Sequence, residues 1–483
     1  MSLAASSPTR AKTTLSGALP RFAEASDRPR VPAPQPLEQP LGTFGLLRAL
    51  RRNPVATWTK AHFEKPVLYG RGVLGPVAVV SDPALVRQIL VDNAANYPKD
   101  LLQRRMLSPG LGNGLLMADG AEWRAQRRAM APLFSPRHVH GFEDVMGRIS
   151  AAMTDRWRQH RDGRRVDASG EMARVTLRIL GQTIFSDSLT RSAEDFARVV
   201  SRFLEGVGKL DPLDALGMPD WLPRLGRIRR QPMLRFFEDA VDGMMRQRRA
   251  MLAADPERAP HDLLTLLLGA TDPETGQSLS DNEIKANLVT FIIAGHETTS
   301  NALTWALFLL SQHPATRETV EAEVDRVLAD GVYRPGTLDD LPLTRAVVDE
   351  AMRLYPPAAT ISRQALEPDR LGPLPIKAGT MVVVSPYVLH RHKLLWDAPD
   401  RFVPERFSPA LRGGIDRFAY LPFGAGPRVC IGASFALQEA VVVLATVIRH
   451  FRLVLAPGHH VMPVQRVALR SHGGMPMLAW RRS

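Results

Sequence analysis

The chain has 483 residues, and 45% of them are hydrophobic, a share typical of a protein that buries a large core. Its formal net charge is +13, but the lysines and arginines are dispersed through helical patterns rather than forming a basic stripe interleaved with aromatic residues, which argues against a nucleic-acid-binding protein. The single cysteine excludes a disulfide framework and a cysteine-rich zinc or iron–sulfur site, and it favours a reducing, cytoplasmic compartment.

The first 40 residues differ in composition from the rest of the chain. Ser, Thr, Ala and Pro predominate, and no acidic residue precedes Glu24. This composition predicts a disordered, proline-stiffened tail over residues 1–40, although an organelle transit peptide has a similar acid-poor start. Residues 41–483 contain no comparable linker and are predicted to form a single domain. No uninterrupted apolar run reaches the roughly 18 residues of a membrane span, so we expect no transmembrane anchor.

The regular elements are predicted to be mostly helical, with small sheets. Two β-rich segments flank residues 70–75, which fit the Gly-x-Gly-x-x-Gly pattern of dinucleotide-binding proteins. Because a second strand and not a helix follows, this segment is predicted to be a hairpin loop. Residues 376–386 predict another hairpin with a strand. Apolar residues recur at helical spacing in ten segments, 84–92, 121–131, 138–160, 171–186, 192–208, 233–254, 280–312, 314–329, 342–354 and 433–450.

Two arginine patterns are candidates for binding an anionic group. Trp123 and Arg127 stand four residues apart and therefore share one face of a predicted helix. Arg363, ten residues after Arg353, is the second candidate. The planar guanidinium group pairs well with carboxylates, but a single arginine in so basic a chain is ordinarily a solvated surface charge. These arginine patterns are therefore evidence for an anion-binding site only together with the motifs described next.

The longest helical pattern begins at Ser280, where Ser280 and Glu283 predict a capping box. Its middle contains the run from Ala294 to Ser300, in which a glycine and the polar Glu297 and Thr298 interrupt an apolar helix. A glycine costs about 1 kcal/mol relative to alanine there, and such local inconsistency is typical of a functional site. The second histidine that a zincin motif needs is absent from this run, which excludes that kind of zinc site.

A Glu-x-x-Arg pair, Glu350 and Arg353, lies on a later predicted helix, and Arg406 follows after a stretch without regular structure. Taken alone, such a pair is ordinarily a surface ion pair that contributes a few tenths of a kcal/mol.

The single cysteine, Cys430, lies in the run from Phe423 to Gly432. The glycines of this run let the backbone bend tightly and approach a flat cofactor. The apolar helical pattern that begins at Ala433 places Cys430 at a helix N-terminus, a position that lowers the pKa of a thiol. A buried structural role is the usual fate of a free cysteine, but this surrounding sequence favours a metal-binding thiolate.

This run matches Phe-x-x-Gly-x-Arg-x-Cys-x-Gly and resembles the haem-binding loop of the cytochrome P450 superfamily. The other motifs occur in that family's order, from Trp123 to Gly432, and resemble its soluble bacterial type. The resemblance implies a mainly α (α+β) fold, a helix-rich triangular prism with small β-sheets. Haem b would lie between the long distal helix and the helix after the cysteine loop. It also implies a monooxygenase that inserts one oxygen atom of O2 into a hydrophobic substrate.

The resemblance also implies a role for each matching residue. Cys430 would be the iron ligand, Glu297 and Thr298 would deliver protons, and Gly295 would give room for dioxygen. Glu350, Arg353 and Arg406 would form structural ion pairs. The residues expected to contact the haem are Trp123, Arg127, Ala294, Arg363, Phe423, Gly424, Arg428, Cys430 and Gly432. The residues expected to line the substrate pocket are Gly295, Thr299, Ala358, Ala359 and Ile361, with segments 101–118 and 203–222.

Electrons are expected from a separate acidic ferredoxin or flavodoxin with an NAD(P)H reductase, because no fused flavin reductase accompanies the motifs. Arg412 and Arg417, close to the cysteine loop in sequence, are candidates for steering this partner to its docking site. The basic segment 224–230 is a candidate for peripheral membrane contact, although a solvated loop explains it more simply.

Two alternative functions remain open at this stage. A peroxide-driven haem-thiolate peroxygenase typically lacks the acid–alcohol pair, which is present in this chain as Glu297 and Thr298. A non-enzymatic haem sensor would need Cys430 but no proton relay.

Overall fold

The computed structural model describes residues 27–72, 75–100, 103, 112–186 and 225–482, and the statements below refer to these residues. The predicted helix 192–208 and the predicted pocket segment 203–222 lie outside them. The α-helices are α1 (Thr43–Arg52), α2 (Pro83–Arg87), α3 (Gly120–Met130), α4 (Pro136–His140), α5 (Glu143–Arg158), α6 (Ala168–Phe185), α7 (Leu225–Ala254), α8 (Leu263–Leu268), α9 (Asp281–Gln312), α10 (Pro314–Val327), α11 (Pro342–Leu354), α12 (Pro386–Leu389) and α13 (Ala433–His450).

Short strands form four small sheets. The strands are β1 (Val67–Gly72), β2 (Gly75–Val80), β3 (Arg164–Asp167), β4 (Ile361–Gln364), β5 (Asp369–Leu371), β6 (Leu374–Ile376), β7 (Met381–Val384), β8 (Phe451–Leu455), β9 (Pro463–Gln465), β10 (Leu469–Ser471) and β11 (Pro476–Arg481). The sheet orders are β1-β2-β7-β4, β3-β11-β8, β5-β6 and β9-β10.

The β1–β2 pair is antiparallel, which confirms the hairpin predicted around residues 70–75. The hairpin predicted over 376–386 is wrong. Strand β6 pairs with β5, and β7 instead joins β2 and β4 on its two sides. Residues 382–384 of β7 are buried and apolar, as expected of a central strand with a neighbour on each side.

Helix α9 begins as the sequence predicts. The Ser280 side chain accepts a hydrogen bond from the Glu283 backbone N–H at 3.3 Å, and the Glu283 carboxylate accepts one from the Ser280 N–H at 2.8 Å. The C-terminal half of α9 is buried on nearly every side and packs against α13 and α11, with Trp305 and Leu309 fully enclosed. In the described part of the chain, α13 alone is long and apolar enough to cross a membrane, but 67% of it is buried within the fold.

The predicted structural ion pairs are present and buried. Both Nε and Nη2 of Arg353 donate to the Glu350 carboxylate at 2.7 Å, and Nη1 donates to the carbonyl oxygens of His390 and Pro399 at 2.8 Å. The Arg406 guanidinium lies 3.6 Å from Glu350. These contacts fix α11 to the segment that leads into the cysteine loop, so their role is to hold the loop in place.

Part of the segment predicted as a tail is packed on the domain. Arg28 donates to the Phe402 carbonyl at 2.9 Å and pairs with Glu405. The Tyr355 hydroxyl donates to the Pro32 carbonyl at 2.9 Å. Residues 28–37 are held by such contacts, so the predicted disordered tail does not extend over them. Their high proline content stiffens a segment that is ordered by the domain beneath it.

Helix α7 begins at Leu225, earlier than the predicted 233, and two other predicted helices are interrupted. The pattern over 138–160 is divided into α4 and α5 by the turn at Gly141 and Phe142. The pattern over 84–92 begins as α2 and continues as a π-helical turn over Gln88–Asp92. That turn packs against the cysteine loop. π-helical turns occur frequently at functional sites.

Candidate active site

A cavity of about 470 Å³ lies between α9 and the segment that precedes α13. Its volume is within the range of small-molecule sites, about 300–1,000 Å³. It brings together all the individually named residues that the sequence predicts to touch haem or substrate. These residues are Trp123, Arg127, Ala294, Gly295, Glu297, Thr298, Thr299, Ala358, Ala359, Ile361, Arg363, Phe423, Gly424, Arg428, Cys430 and Gly432.

The cysteine loop is shaped by backbone contacts. Gly426 has φ of +73°, and a Cβ atom on it would lie 1.8 Å from the Leu90 carbonyl oxygen, so only glycine fits. The Cys430 N–H donates to the Phe423 carbonyl at 2.9 Å and closes the loop. Gly432 is the N-cap of α13, which begins at Ala433 as the sequence predicts. The loop and the helix together hold Cys430 at one wall of the cavity.

The Cys430 side chain is exposed toward the cavity and surrounded by protein elsewhere. This surrounding protein raises the pKa of the thiol by desolvation, while the Gly432 N–H and the Arg127 charge act in the opposite direction. Ionisation of the Cys430 thiol is therefore unfavourable without a positive partner in the cavity. A bound metal ion would supply that partner.

A cluster of three arginines lines the cavity. Arg428 donates to the Ala118 carbonyl at 2.9 Å, pairs with Asp119, and has its guanidinium carbon 4.3 Å from the centre of the Trp123 ring. Burial, with the nearby Arg428 charge, lowers the pKa of Arg363 to about 10. Burial also lowers the pKa of Arg127. Such a concentration of buried positive charge favours an anionic ligand with carboxylate groups.

Glu297 and Thr298 lie on α9, whose middle part lines the same cavity. The Thr298 hydroxyl donates to the Ala294 carbonyl at 2.7 Å, which leaves its oxygen lone pairs available to accept a hydrogen bond from a donor in the cavity. Burial raises the pKa of Glu297, and the Arg470 charge and the Ala468 N–H partly offset this. A carboxyl group with a raised pKa holds its proton more strongly than an exposed carboxyl does, which suits it to proton transfer.

Gly295 has a packing role in addition to bordering the cavity. A Cβ atom at this position would lie 3.0 Å from a methyl carbon of Leu180 on α6. Close contact between α9 and α6 therefore accounts for the glycine, and the expected room for dioxygen is not needed to explain it.

Sequence reasoning missed several residues of the site. Lys99 lines the cavity and donates to the Leu116 carbonyl. Arg470 on β10 places its charge near Glu297, and Gln465 on β9 lines the cavity. Glu439, fully buried on α13, lies beside the Thr299 hydroxyl. Only Glu439 had a detectable signal, since a glutamate within an apolar helix is a local inconsistency.

Haem fits this arrangement. The thiol and the arginine cluster match the iron and the two propionates of haem, and the middle of α9 supplies the remaining wall. A Cβ atom built on Gly432 would find no atom within 4 Å, so the backbone there borders open space. Arg127, Arg363 and Arg428 would hold the propionates, and Cys430 would hold the iron.

Comparison with known proteins agrees with this geometry. The cytochrome P450 family model matches residues 34–474. Cyclooctatin synthase of Streptomyces melanosporofaciens is 35% identical over 82% of this chain and 84% of its own length. Pentalenene oxygenase of Streptomyces avermitilis is 32% identical over 81% of this chain and 85% of its own length.

Among solved structures, the haem domain of cytochrome P450DA superposes with a TM-score of 0.78 and 26% identity, covering 94% of this chain and 98% of that domain. These matches confirm the predicted fold class, the haem cofactor with an axial cysteine thiolate and the monooxygenase activity. Because Cys430 is the only cysteine, it is the residue available as the axial ligand. The chain therefore belongs to the cytochrome P450 family of haem-thiolate monooxygenases.

Proposed function

We propose that this enzyme oxidises a cyclic terpenoid, with protons delivered through Glu297 and Thr298 and electrons supplied by a separate protein. The apolar wall of the cavity is the observation that carries the substrate class. Its apolar lining residues include Leu115, Leu133, Phe134, Leu180 and Phe291. Such a wall binds a hydrocarbon through burial of apolar area, about 25 cal/mol per Å².

The relatives support the same substrate class. Pentalenene oxygenase is named for a hydrocarbon. A second relative from Streptomyces melanosporofaciens, cyclooctat-9-en-7-ol 5-monooxygenase, is 34% identical over 80% of this chain and 82% of its own length and is named for an alcohol. The coverage is mutual and extends over about four fifths of this chain, which favours a related substrate here.

The proposed proton path uses the chain's own groups. Glu297 has a raised pKa and lies near the positive charge of Arg470, so its carboxyl can exchange protons on the far side from the arginine cluster. The Thr298 hydroxyl rests as a donor to the Ala294 carbonyl; on leaving that carbonyl it can give its own proton to the cavity while its oxygen takes a proton from the Glu297 side. Bound haem supplies the iron centre at which dioxygen is activated.

The acid–alcohol pair also favours a monooxygenase over the two alternatives. A peroxygenase or a haem sensor has no use for a proton path beside the cavity. We further propose that residues 27–482 act as one catalytic domain in the cytoplasm, since the lone cysteine is compatible with a reducing compartment.

Substrate binding can be measured without turnover. Cyclic terpenes are expected to shift the absorption spectrum of the resting haem, whereas linear peptides and nucleotides are not. With a surrogate ferredoxin system, the terpenes that shift the spectrum should stimulate NAD(P)H consumption and yield oxygenated products. If no cyclic terpene shifts the spectrum while steroids or small aromatics do, the proposed substrate class is wrong.

The electron donor is proposed to be an acidic ferredoxin or flavodoxin that docks near the cysteine loop. Family members obtain electrons in different ways: a Bacillus subtilis relative, 34% identical over 72% of this chain, is named as a bifunctional P450 and NADPH–P450 reductase. Arg412, one predicted docking residue, pairs with the buried Asp349, so reversing its charge would also disturb the fold. Arg417 is exposed and stacks on Phe418, which makes it the better candidate.

Helix α4 carries a second exposed arginine that is a candidate for donor docking near the cysteine loop. The Val139 carbonyl accepts a hydrogen bond from the Gln438 amide of α13 at 2.7 Å, which fixes α4 to the helix that follows the cysteine loop. Arg137 is exposed on α4.

Charge reversal at Arg137 and Arg417 is expected to slow reduction by the acidic donor, because exposed charges steer association. This effect should weaken as salt rises, since the Debye length is only about 8 Å at physiological ionic strength. Stopped-flow reduction rates of the double variant measure it. Arg258→Glu is a matched control, because Arg258 is highly exposed between α7 and α8 and away from the cysteine loop. Equal salt-dependent slowing in the control and the double variant would contradict docking at this surface.

A further inference from the structure

Four buried polar atoms of the cavity lining have no hydrogen-bond partner among the described residues. They are Gln103 Oε1, Glu297 Oε2, Thr299 Oγ1 and Gln465 Oε1. Burying a polar atom without a hydrogen-bond partner destabilises the folded protein, because the atom gives up its hydrogen bonds to water. Each of these four atoms therefore calls for an explanation.

Three of the four have an explanation in their surroundings. Glu297 belongs to the proposed proton path. The Thr299 hydroxyl lies beside the buried carboxyl of Glu439. Gln103 stands between segments that lie outside the described residues. Gln465 alone remains, because no described residue pairs with its side-chain oxygen and the proposed proton path does not use it.

The backbone of Gln465 is fixed without using its side chain. Its N–H donates to the Asn53 side-chain oxygen at 3.1 Å, and its carbonyl accepts from Arg466 at 3.1 Å. Asn53 also donates to the Pro463 carbonyl at 2.9 Å, and Gln465 pairs with Leu469 across the β9–β10 hairpin. The amide is therefore free to serve a ligand, and replacing it should leave the hairpin intact.

The hairpin places this amide on the Glu297 side of the cavity. Val467, two residues after Gln465, also lines the cavity, and the Ala468 N–H faces Glu297. The arginine cluster that would hold the haem propionates comes from other elements, α3, β4 and the cysteine loop. The amide of Gln465 is thus assigned to the substrate and not to the haem.

We propose that Gln465 binds a hydroxyl group of the substrate, which makes the preferred substrate an alcohol of the apolar class. An apolar molecule that fills the cavity displaces water and leaves the amide unpaired. A hydroxyl group restores the pairing, because it donates to Oε1 or accepts from the amide NH2. Sites built in this way discriminate strongly against analogues that lack the polar group. The inference rests on the terpenoid substrate class proposed above and narrows it.

The test compares alcohols with their parent hydrocarbons. Borneol with bornane and cedrol with cedrane are titrated against the haem-loaded enzyme, and binding is measured by the shift of the resting haem spectrum. The wild-type enzyme is expected to bind the alcohol of at least one pair about tenfold more tightly, equivalent to about 1.4 kcal/mol. Gln465→Leu and Gln465→Met should abolish the preference by weakening alcohol binding, with hydrocarbon binding unchanged or tighter.

Gln312→Leu is the matched control, because Gln312 is exposed at the end of α9 and the same chemical change there should keep the preference. Equal affinities for alcohol and hydrocarbon in the wild-type enzyme would overturn the role of Gln465 and leave the terpenoid class intact. A preference that survives in both Gln465 variants would overturn it as well. If none of the four compounds shifts the haem spectrum, the result would contradict the terpenoid substrate class and the proposed role of Gln465 with it.

Discussion

Replacing Thr298 by alanine is expected to lower product formation per electron consumed by roughly 10²-fold, the low end of what a positioned proton donor contributes. The variant removes the hydroxyl held by the Ala294 carbonyl at the cavity wall. Haem and substrate binding should persist, because Thr298 belongs to neither the arginine cluster nor the apolar wall. NAD(P)H consumption should continue, with reducing equivalents appearing as hydrogen peroxide or water. The measurement is product and peroxide formed per NAD(P)H.

Thr304→Ala is the matched control for this experiment. The Thr304 hydroxyl donates to the Ser300 carbonyl at 2.7 Å, the same contact one turn and a half further along α9, but it does not line the cavity. Thr304→Ala therefore removes the same helix hydrogen bond without removing a cavity hydroxyl, and its coupling should match the wild type. Thr298→Ser should restore most of the product. Unchanged product per electron in Thr298→Ala would remove Thr298 from the proton path.

Most of the site was predictable because its chemistry depends on short runs of sequence. The cysteine loop needs Gly426 for a close approach to Leu90, and the ion pairs of Glu350 and Arg353 come from one helical turn. The capping box at Ser280 likewise lies within four residues. The last two contacts join residues whose spacing in sequence already determines their spacing in the fold, whereas Gly426 is recognisable from the short motif around it and not from its contact with Leu90.

The residues that the sequence did not reveal depend on long-range contacts. Arg470 lies near Glu297, and Gln465 reaches the cavity, only because the β9–β10 hairpin returns over α9. Asn53, more than 400 positions earlier, fixes that hairpin. No local pattern marks them. The ion pair of Arg412, a predicted docking residue, was hidden for the same reason, since its partner Asp349 lies on α11.

The segment before residue 41 shows a different limit, namely how far amino-acid composition predicts disorder. Its prolines and small polar residues resemble a disordered tail, yet residues 28–37 are ordered by contacts with distant groups, among them the Phe402 carbonyl and the Tyr355 hydroxyl. Composition describes the intrinsic preference of a segment and says nothing of a groove elsewhere in the fold that receives it.

Cys430→Ser is expected to abolish oxygenation, because an alcohol does not replace the thiolate that donates electron density to the iron. The fold should survive the change. The loop is closed by the Cys430 N–H to the Phe423 carbonyl, and neither atom belongs to the side chain. Circular dichroism and the thermal transition of the variant should therefore resemble those of the wild type, while turnover with any substrate found for the wild type should be lost. Turnover retained in this variant would exclude Cys430 as the ligand.

The most direct measurement of haem-thiolate chemistry is the absorption spectrum of the reduced enzyme under carbon monoxide. Thiolate ligation by Cys430 predicts the strongly red-shifted Soret band for the wild-type protein, and its loss in Cys430→Ser. A folded, haem-loaded wild-type protein that shows the unshifted band of histidine or water ligation would contradict the account.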